Sequence, residues 1–351
     1  MPDSSQLIEE PAVFTLEDDE LAEVTSLVER LVAGFPAVAG IDYLRNATLL
    51  SHHLPERLLE FLLDIQSEEV AAFVVSGFAV DDNSIGPTPS GWGRQPDPCS
   101  TRAMTAWLEL CGSVLGGLFG WATQQDGAIV HDIAPARGDE HSQVSSSSTE
   151  LLWWHTEEAF HPLRCDYLGL ICLRNPGQVA TTFASVNGIE LAPEIRKVLF
   201  DRRFVIRPDD SHLAREHDRS LSVGKEGELL LAARKRIDRM NKQPQRVALL
   251  YGDFDSPYLS VDPFYTDVPA DDAQACQAYE TLCGALERQL KEIRLSPGEI
   301  LFVDNYRAVH GRKPFPARYD GTDRWLKRVN ITRDLRKSRA HRMTADSRVI
   351  Y

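Results

Sequence analysis

The sequence predicts a mainly β fold with helical additions (α+β), formed as a single domain over residues 1–351. Three observations predict it. Short runs of β-branched and apolar residues, bounded by turn residues, recur from about 120 to 335, as in a sandwich or barrel. Helical spacing is concentrated before them, in about 1–118. No internal repeat, low-complexity tract or linker divides the chain, and 43% hydrophobic residues suffice for one large core.

The elements follow in order. Thr15 with Asp18 reads as the N-cap of an amphipathic helix running to Gly34, and a second helix covers Pro55 to Ile65. Ala71–Val75 is a strand. Gly86, Pro87, Pro89, Pro96 and Pro98 make 81–98 a long loop. Met104–Leu118 is an apolar helix. Strands are then expected at Ala128–Ile133, Asp166–Leu173, Thr181–Val186, Phe204–Arg207, Val247–Tyr251, Tyr258–Val261, Glu299–Val303 and Trp325–Ile331. Cys276, Tyr279, Cys283, Leu286, Leu290 and Ile293 recur at gaps of three and four, one helical stripe. The charged stretch of about 209–245 is an insertion, either a lid or a solvated excursion.

The net charge of -14 repels nucleic acid and anionic membrane, and admits cationic small molecules. The six cysteines form no C-x-x-C pair, so free thiols are expected. The N-terminal residues show no signal-peptide pattern and no apolar run reaches membrane-spanning length, which points to a cytoplasmic protein.

The chemistry lies in His155, Glu157 and His310, an H-x-E pair with a distant histidine. Two imidazoles and a carboxylate can occupy one face of Fe(II), leaving positions for a chelating co-substrate and O2. With ten histidines and 52 acidic residues, the pair alone is also what chance supplies. Its context adds weight. In a strand-like segment residues two apart point the same way. His310 follows the apolar strand and turn of 299–305. Arg324 and Arg328 share one face of a second run, where two inward charges need anionic partners. A keto-diacid such as 2-oxoglutarate and an amino-acid carboxylate would supply them; surface salt bridging is the other reading. Of Trp153 and Trp154, one should face the core and one outward. His52, His53, His131, His141, His161, His212, His217 and His341 lack such spacing and read as structural or exposed.

The strings Phe119–Gly127, Val144–Ser148, Trp154–Phe160, Arg174–Pro176, Val179–Thr182, Asp304–Asn305, Val309–Arg312 and Arg318–Arg328 resemble the clavaminate synthase-like oxygenases. Within these the chain is most similar to the arginine (viomycin-pathway) hydroxylase branch, over about residues 100–345, with lysine hydroxylases nearby. The resemblance implies a double-stranded β-helix (jelly-roll) core. It implies iron on His155, Glu157 and His310, with Glu157 arguing against a halogenase. It implies that Arg324 grips the C5 carboxylate of 2-oxoglutarate, helped by the hydroxyl of Thr182 or its neighbour Thr181. It places Arg328 and Ser145 at the substrate α-carboxylate, and Gln124 and Glu157 at its α-amino group. Asp262 then meets the cationic end of the side chain; a turn role before Pro263 is the lesser alternative. Asp209 or Asp210 lines the lid side or is solvated.

One departure stands out: Phe264 replaces a second acid expected two positions after Asp262. A guanidinium benefits from two carboxylates, whereas an ammonium manages with one and an aromatic face, which favours lysine. The implied activity is hydroxylation of a free basic L-amino acid, lysine or arginine-like, at C3 or C4, giving succinate and CO2. Citrulline, a cyclic arginine derivative such as enduracididine, and a carrier-tethered amino acid stay open. A non-catalytic jelly-roll binding protein is the remote alternative.

Overall fold

The computed structural model describes residues 10–35, 40–91, 98–213 and 224–351. Its helices are α1 (Asp18–Gly34), α2 (Ile41–Ser51), α3 (Glu56–Glu68), α4 (Arg102–Leu115), α5 (Pro193–Phe200), α6 (Lys225–Lys242) and α7 (Ala273–Gln289). Its strands are β1 (Ala12–Thr15), β2 (Ala72–Ser76), β3 (Gly117–Trp121), β4 (Val130–Ile133), β5 (Leu152–His155), β6 (Tyr167–Arg174), β7 (Thr181–Ser185), β8 (Val205–Ile206), β9 (Leu250–Gly252), β10 (Pro257–Leu259), β11 (Thr266–Asp267), β12 (Lys291–Ile293), β13 (Ile300–Asp304), β14 (Ala308–Arg312), β15 (Trp325–Thr332) and β16 (Val349–Ile350).

Two sheets organise the molecule. The larger runs β1-β2-β13-β6-β15-β3-β16, with β4 also on β15; the smaller runs β12-β7-β14-β5. Side-chain alternation assigns the layers. In β6, Tyr167, Ile171 and Leu173 pack under the N-terminal helices with Leu27, Leu62 and Trp107. Leu168, Leu170 and Cys172 point the other way and meet Phe183 of β7 and Ala308 of β14. The two sheets therefore face one another. Behind the smaller sheet, Ala184 and Val309 pack against Leu199 of α5 and Leu282 of α7. β6, β13 and β15 are buried on both faces; β6 and β13 are correspondingly apolar, whereas β15 also buries Lys327, Arg328 and Asn330.

Several sequence expectations shift. The first helix begins at Asp18 with Glu17, not Thr15, at its N-cap; the Glu17 N–H donates to the Glu20 carboxylate at 2.8 Å. Thr15 is consumed by β1, whose partner is β2. α2 was not expected. α7 stops at Gln289, and Ile293 lies in β12. Its fully buried face is Ala275, Ala278, Leu282 and Leu286, with Cys276, Tyr279 and Cys283 at the flank. Val247 makes only a single bridge to Phe204, and its strand starts at Leu250. The charged insertion carries the long helix α6. Pro96 and His217 lie outside the described residues. All six cysteines are free. Among the described residues, no helix is long and apolar enough to cross a membrane.

A polar cluster is buried between α4 and the large sheet. Lys327 pairs with Asp132 at 2.9 Å, and the Trp325 indole N–H donates to the same Asp132 oxygen at 2.7 Å. Beside them Glu109 is hydrogen-bonded by the Tyr43 hydroxyl. Burial pushes the Glu109 carboxyl up to about 8, against the opposing pull of Tyr43 and Lys327. The unfolded chain would release this proton near the ordinary value of about 4.3. Between those pH values the native state holds a proton that the unfolded state lacks, so stability falls as pH rises across that window. Glu109→Gln cannot ionise. Its melting temperature relative to wild type should therefore climb from pH 5 to pH 8; a pH-independent difference would show that Glu109 is ionised throughout.

Candidate active site

β5 and β14 are antiparallel neighbours in which His155 pairs directly with His310. Both imidazoles project into the space between the sheets, and their ring centroids lie 4.6 Å apart. His310 sits within a strand of its own rather than at the end of the preceding one. Glu157 lies just past the end of β5, so strand alternation alone does not place it. Thr156, between the two ligands, is fully buried; its N–H donates to Val261 O at 2.8 Å, and its hydroxyl accepts from Val261 N–H at 3.2 Å. Asn305 then clamps the glutamate backbone. Its Oδ1 accepts from Glu157 N–H at 2.8 Å, and its Nδ2 donates to Glu157 O and Cys165 O at 3.0 Å each. The Asp304–Asn305 motif thus holds a side chain far away in sequence.

One Glu157 oxygen, Oε2, lies 3.6 Å from His155 Nε2 and 3.4 Å from His310 Nε2. The three donor atoms lie within 4.8 Å of one another, the one such cluster among the described residues. His155 Nδ1 faces Trp153 O at 2.7 Å, which places the proton on Nδ1 and leaves the Nε2 lone pair on the cluster. Burial opposes a charge on His155, but the Glu157 hydrogen bond and the Asp262 charge outweigh it and raise the imidazole to about 9. Burial and the His155 charge instead pull His310 down. A carboxylate between two imidazoles draws a proton onto one of them, and a dication at the same point would take that proton's place. Two neutral nitrogens and one carboxylate oxygen fit ferrous iron, with one side left open. Space is tight on the strand side. A Cβ on Gly311 would lie 2.7 Å from Leu152 O and 2.9 Å from Thr182 Oγ1, so only glycine lets β14 approach β5 beside His310.

β15 brings the arginines. Arg324 precedes it, and Leu326, Arg328 and Asn330 take the same inward face. Arg324 is buried, and burial pulls its guanidinium down to about 10. Its Nη2 donates to Thr181 Oγ1 at 3.0 Å. Among the described residues no carboxylate pairs with it. A buried cation in this state calls for an anionic ligand, and the fit to the distal carboxylate of 2-oxoglutarate rests on that need. The hydroxyl at Arg324 is that of Thr181, not Thr182. Thr181 shares the inward parity of Phe183, while Thr182 shares the outward parity of Ala184.

Arg328 is already engaged. Its Nη1 contacts Glu157 Oε1, and its Nη2 donates to Gln124 Oε1 at 3.0 Å and His131 Nδ1 at 2.9 Å. Burial raises the Glu157 carboxyl, but Arg328 and the two imidazoles outweigh it and hold it well below the carboxylate range. Ser145, Asp209 and Asp262 line the same cavity of about 500 Å³ as His155, Glu157 and His310; Asp210 does not. Asp262 takes the turn role and also borders the cavity. It accepts from the backbone N–H groups of Phe264 and Tyr265 at 3.0 and 3.2 Å, and it faces the cavity. Burial pushes it up to about 6, with the Asp209 charge adding to the rise. Phe264 stands at the mouth, 57% exposed. Trp154 is buried and Trp153 exposed, the alternation expected of β5. Sequence spacing missed His131, His212, Glu158 and Asn305, all buried around the site. Each is joined to it by tertiary contacts that no local pattern encodes.

The family model described as taurine catabolism dioxygenase TauD, TfdA family, matches residues 101–330. The chain belongs to the TauD/TfdA family. This TauD/TfdA protein is an iron- and 2-oxoglutarate-dependent oxygenase, and its facing sheets are the expected jelly roll. It is 42% identical over 337 residues to enduracididine beta-hydroxylase of Streptomyces hygroscopicus, covering 96% of this chain and 98% of that one. It is 40% identical over 335 residues to L-ornithine/L-arginine 3-hydroxylase of Catenulispora acidiphila, covering 95% and 97%. The non-heme iron oxygenase OrfP, solved with Fe, succinate and (3S)-hydroxy-L-Arg, superposes with a TM-score of 0.88 at 40% identity, covering 97% of this chain and 99% of that one.

Proposed function

We propose that the protein hydroxylates a free L-amino acid of the arginine type at side-chain C3 or C4, converting 2-oxoglutarate to succinate and CO2. The observation that carries this reading is the charge layout of one cavity. Arg324 and Arg328 stand on its sheet wall, and Asp209 and Asp262 line it as well. That layout suits a keto-diacid together with a zwitterion bearing a cationic side chain.

Held by His155, Glu157 and His310, ferrous iron supplies O2 activation and the radical chemistry. The chain's own groups bind and orient. Arg324 and Thr181 hold the distal carboxylate of 2-oxoglutarate. Arg328 and Ser145 take the substrate α-carboxylate, and Gln124 with Glu157 the α-amino group. Asp262 meets the side-chain cation. Phe264 by itself favours lysine, but Asp209 supplies the second carboxylate that a guanidinium requires. The relatives named for enduracididine and arginine support the same choice, and a neutral citrulline side chain would leave the two acids uncompensated.

Product and succinate formation with L-arginine, enduracididine, L-lysine, L-citrulline and L-arginine amide tests the reading. The guanidino acids should give matched hydroxylated product and succinate, ahead of lysine. The amide, with no α-carboxylate for Arg328, should give none. Succinate at the substrate-free background with every free amino acid would refute the proposal. Phe264→Asp should raise the arginine-to-lysine ratio of kcat/KM by about tenfold, the worth of one further close charge pair; an unchanged ratio would remove Phe264 from the specificity pocket.

A further inference from the structure

The segment 209–213 lines the cavity through Asp209, Ser211 and Leu213, and one side chain in it is almost wholly buried. His212 is 2% exposed and packs edge-on against Trp121 and Phe160, at ring separations of 5.6 and 5.2 Å. Its Nδ1 lies 2.7 Å from Thr123 Oγ1, and its Nε2 lies 3.0 Å from Gln124 Nε2 and 3.7 Å from Glu158 Oε1. The Gln124 amide is the group in contact with both His212 and Arg328.

Arg328 and Ser211 fix the donor and acceptor roles around the Gln124 amide. Arg328 carries only donors, so the amide atom it approaches at 3.0 Å is the oxygen. The amide nitrogen must then turn toward Ser211 and His212. It donates to Ser211 Oγ at 2.7 Å, and Ser211 in turn donates to Asp209. The second N–H of the amide points to His212 Nε2, which accepts it when the ring is neutral and protonated on Nδ1; burial favours that form, whereas the Asp209 and Glu158 charges raise the imidazole toward the charged form in which this bond is lost. A carbonyl-type oxygen has two lone pairs, and Arg328 uses one of them on the Gln124 oxygen, which belongs to a residue lining the cavity. A flipped amide would present N–H groups there and repel an ammonium.

We propose that His212 is a positioning residue that, together with Arg328 and Ser211, holds the Gln124 amide with its oxygen toward the substrate, and so strengthens the preference for a protonated α-amino group. The inference rests on the functional reading above, in which Gln124 meets that group.

Two substitutions separate the two faces of the ring. In His212→Gln the side-chain amide reaches the place of Nε2 and keeps an acceptor for Gln124. In His212→Asn it reaches the place of Nδ1, keeping Thr123 and losing Gln124. Calorimetry under anaerobic conditions, on protein loaded with iron and 2-oxoglutarate, gives Kd for L-arginine and for 5-guanidinopentanoate, which lacks the α-amino group. The wild type should prefer L-arginine. His212→Asn should lose about tenfold of that preference, the worth of one buried hydrogen bond. His212→Gln should keep it within about threefold, and neither should change the Kd for 2-oxoglutarate. Equal losses in both variants, as expected if a charged ring merely pairs with Glu158, would overturn the proposal. So would a His212→Asn protein with undiminished preference. A wild type that binds neither compound would bring down the functional reading itself, and this inference with it.

Discussion

Arg324→Met is expected to raise the KM for 2-oxoglutarate by about 10²–10³-fold while leaving the fold intact. The residue is buried beside Thr181, with no carboxylate of the described residues to neutralise it. Truncating one partner of a buried charge-assisted pair costs about 2–5 kcal/mol, and about 1.4 kcal/mol is tenfold in affinity. The unliganded protein behaves in the opposite sense. There the guanidinium is a desolvated charge without a counter-ion, so methionine of similar length should leave the melting temperature unchanged or raise it. Steady-state kinetics and thermal melts, each with and without 2-oxoglutarate, check both halves. A large destabilisation with an unaltered KM would mean that Arg324 is structural.

Glu157→Ala should have a double effect. Loss of a carboxylate supporting a metal ligand typically costs 10–100-fold, so loss of the ligand itself should reduce turnover by more than about 100-fold. The same carboxylate also neutralises Arg328, whose contact with Glu157 Oε1 is buried. Removing it leaves a buried guanidinium unpaired, at a cost of about 3–5 kcal/mol. His155→Ala removes a ligand together with a cation that faces Glu157 and Asp262, but it leaves the Arg328–Glu157 pair intact. Metal-free Glu157→Ala should therefore melt well below metal-free His155→Ala, although both are inactive. Equal melting temperatures would show that Arg328 finds its compensation elsewhere, for instance in Glu158.

The sequence made the sheet core legible because β6 and β13 are mostly apolar runs between turn residues, and β15 keeps Trp325, Leu326, Val329 and Ile331 among its polar positions. It missed α2 and the short edge strands, where packing decides more than propensity. It placed the first helix cap at Thr15 because a threonine there fits the local rule; pairing of β1 with β2 claims that residue instead. At the site, the ligand triad and the two arginines were visible as residue types at fixed spacing. Thr181 and Thr182 were indistinguishable until the parity of β7 was known. His131, His212 and Asn305 carry no signal in spacing, since each acts across a sequence separation of more than 80 residues.

The account depends on His155, Glu157 and His310 closing around one ferrous ion. Anaerobic titration of Fe(II) into the purified chain, with 2-oxoglutarate present and bound metal counted, tests it most directly. The account predicts one iron per chain for wild type and none retained by Glu157→Ala or His310→Ala. Full iron binding by those variants, or no uptake by the wild type, would contradict it.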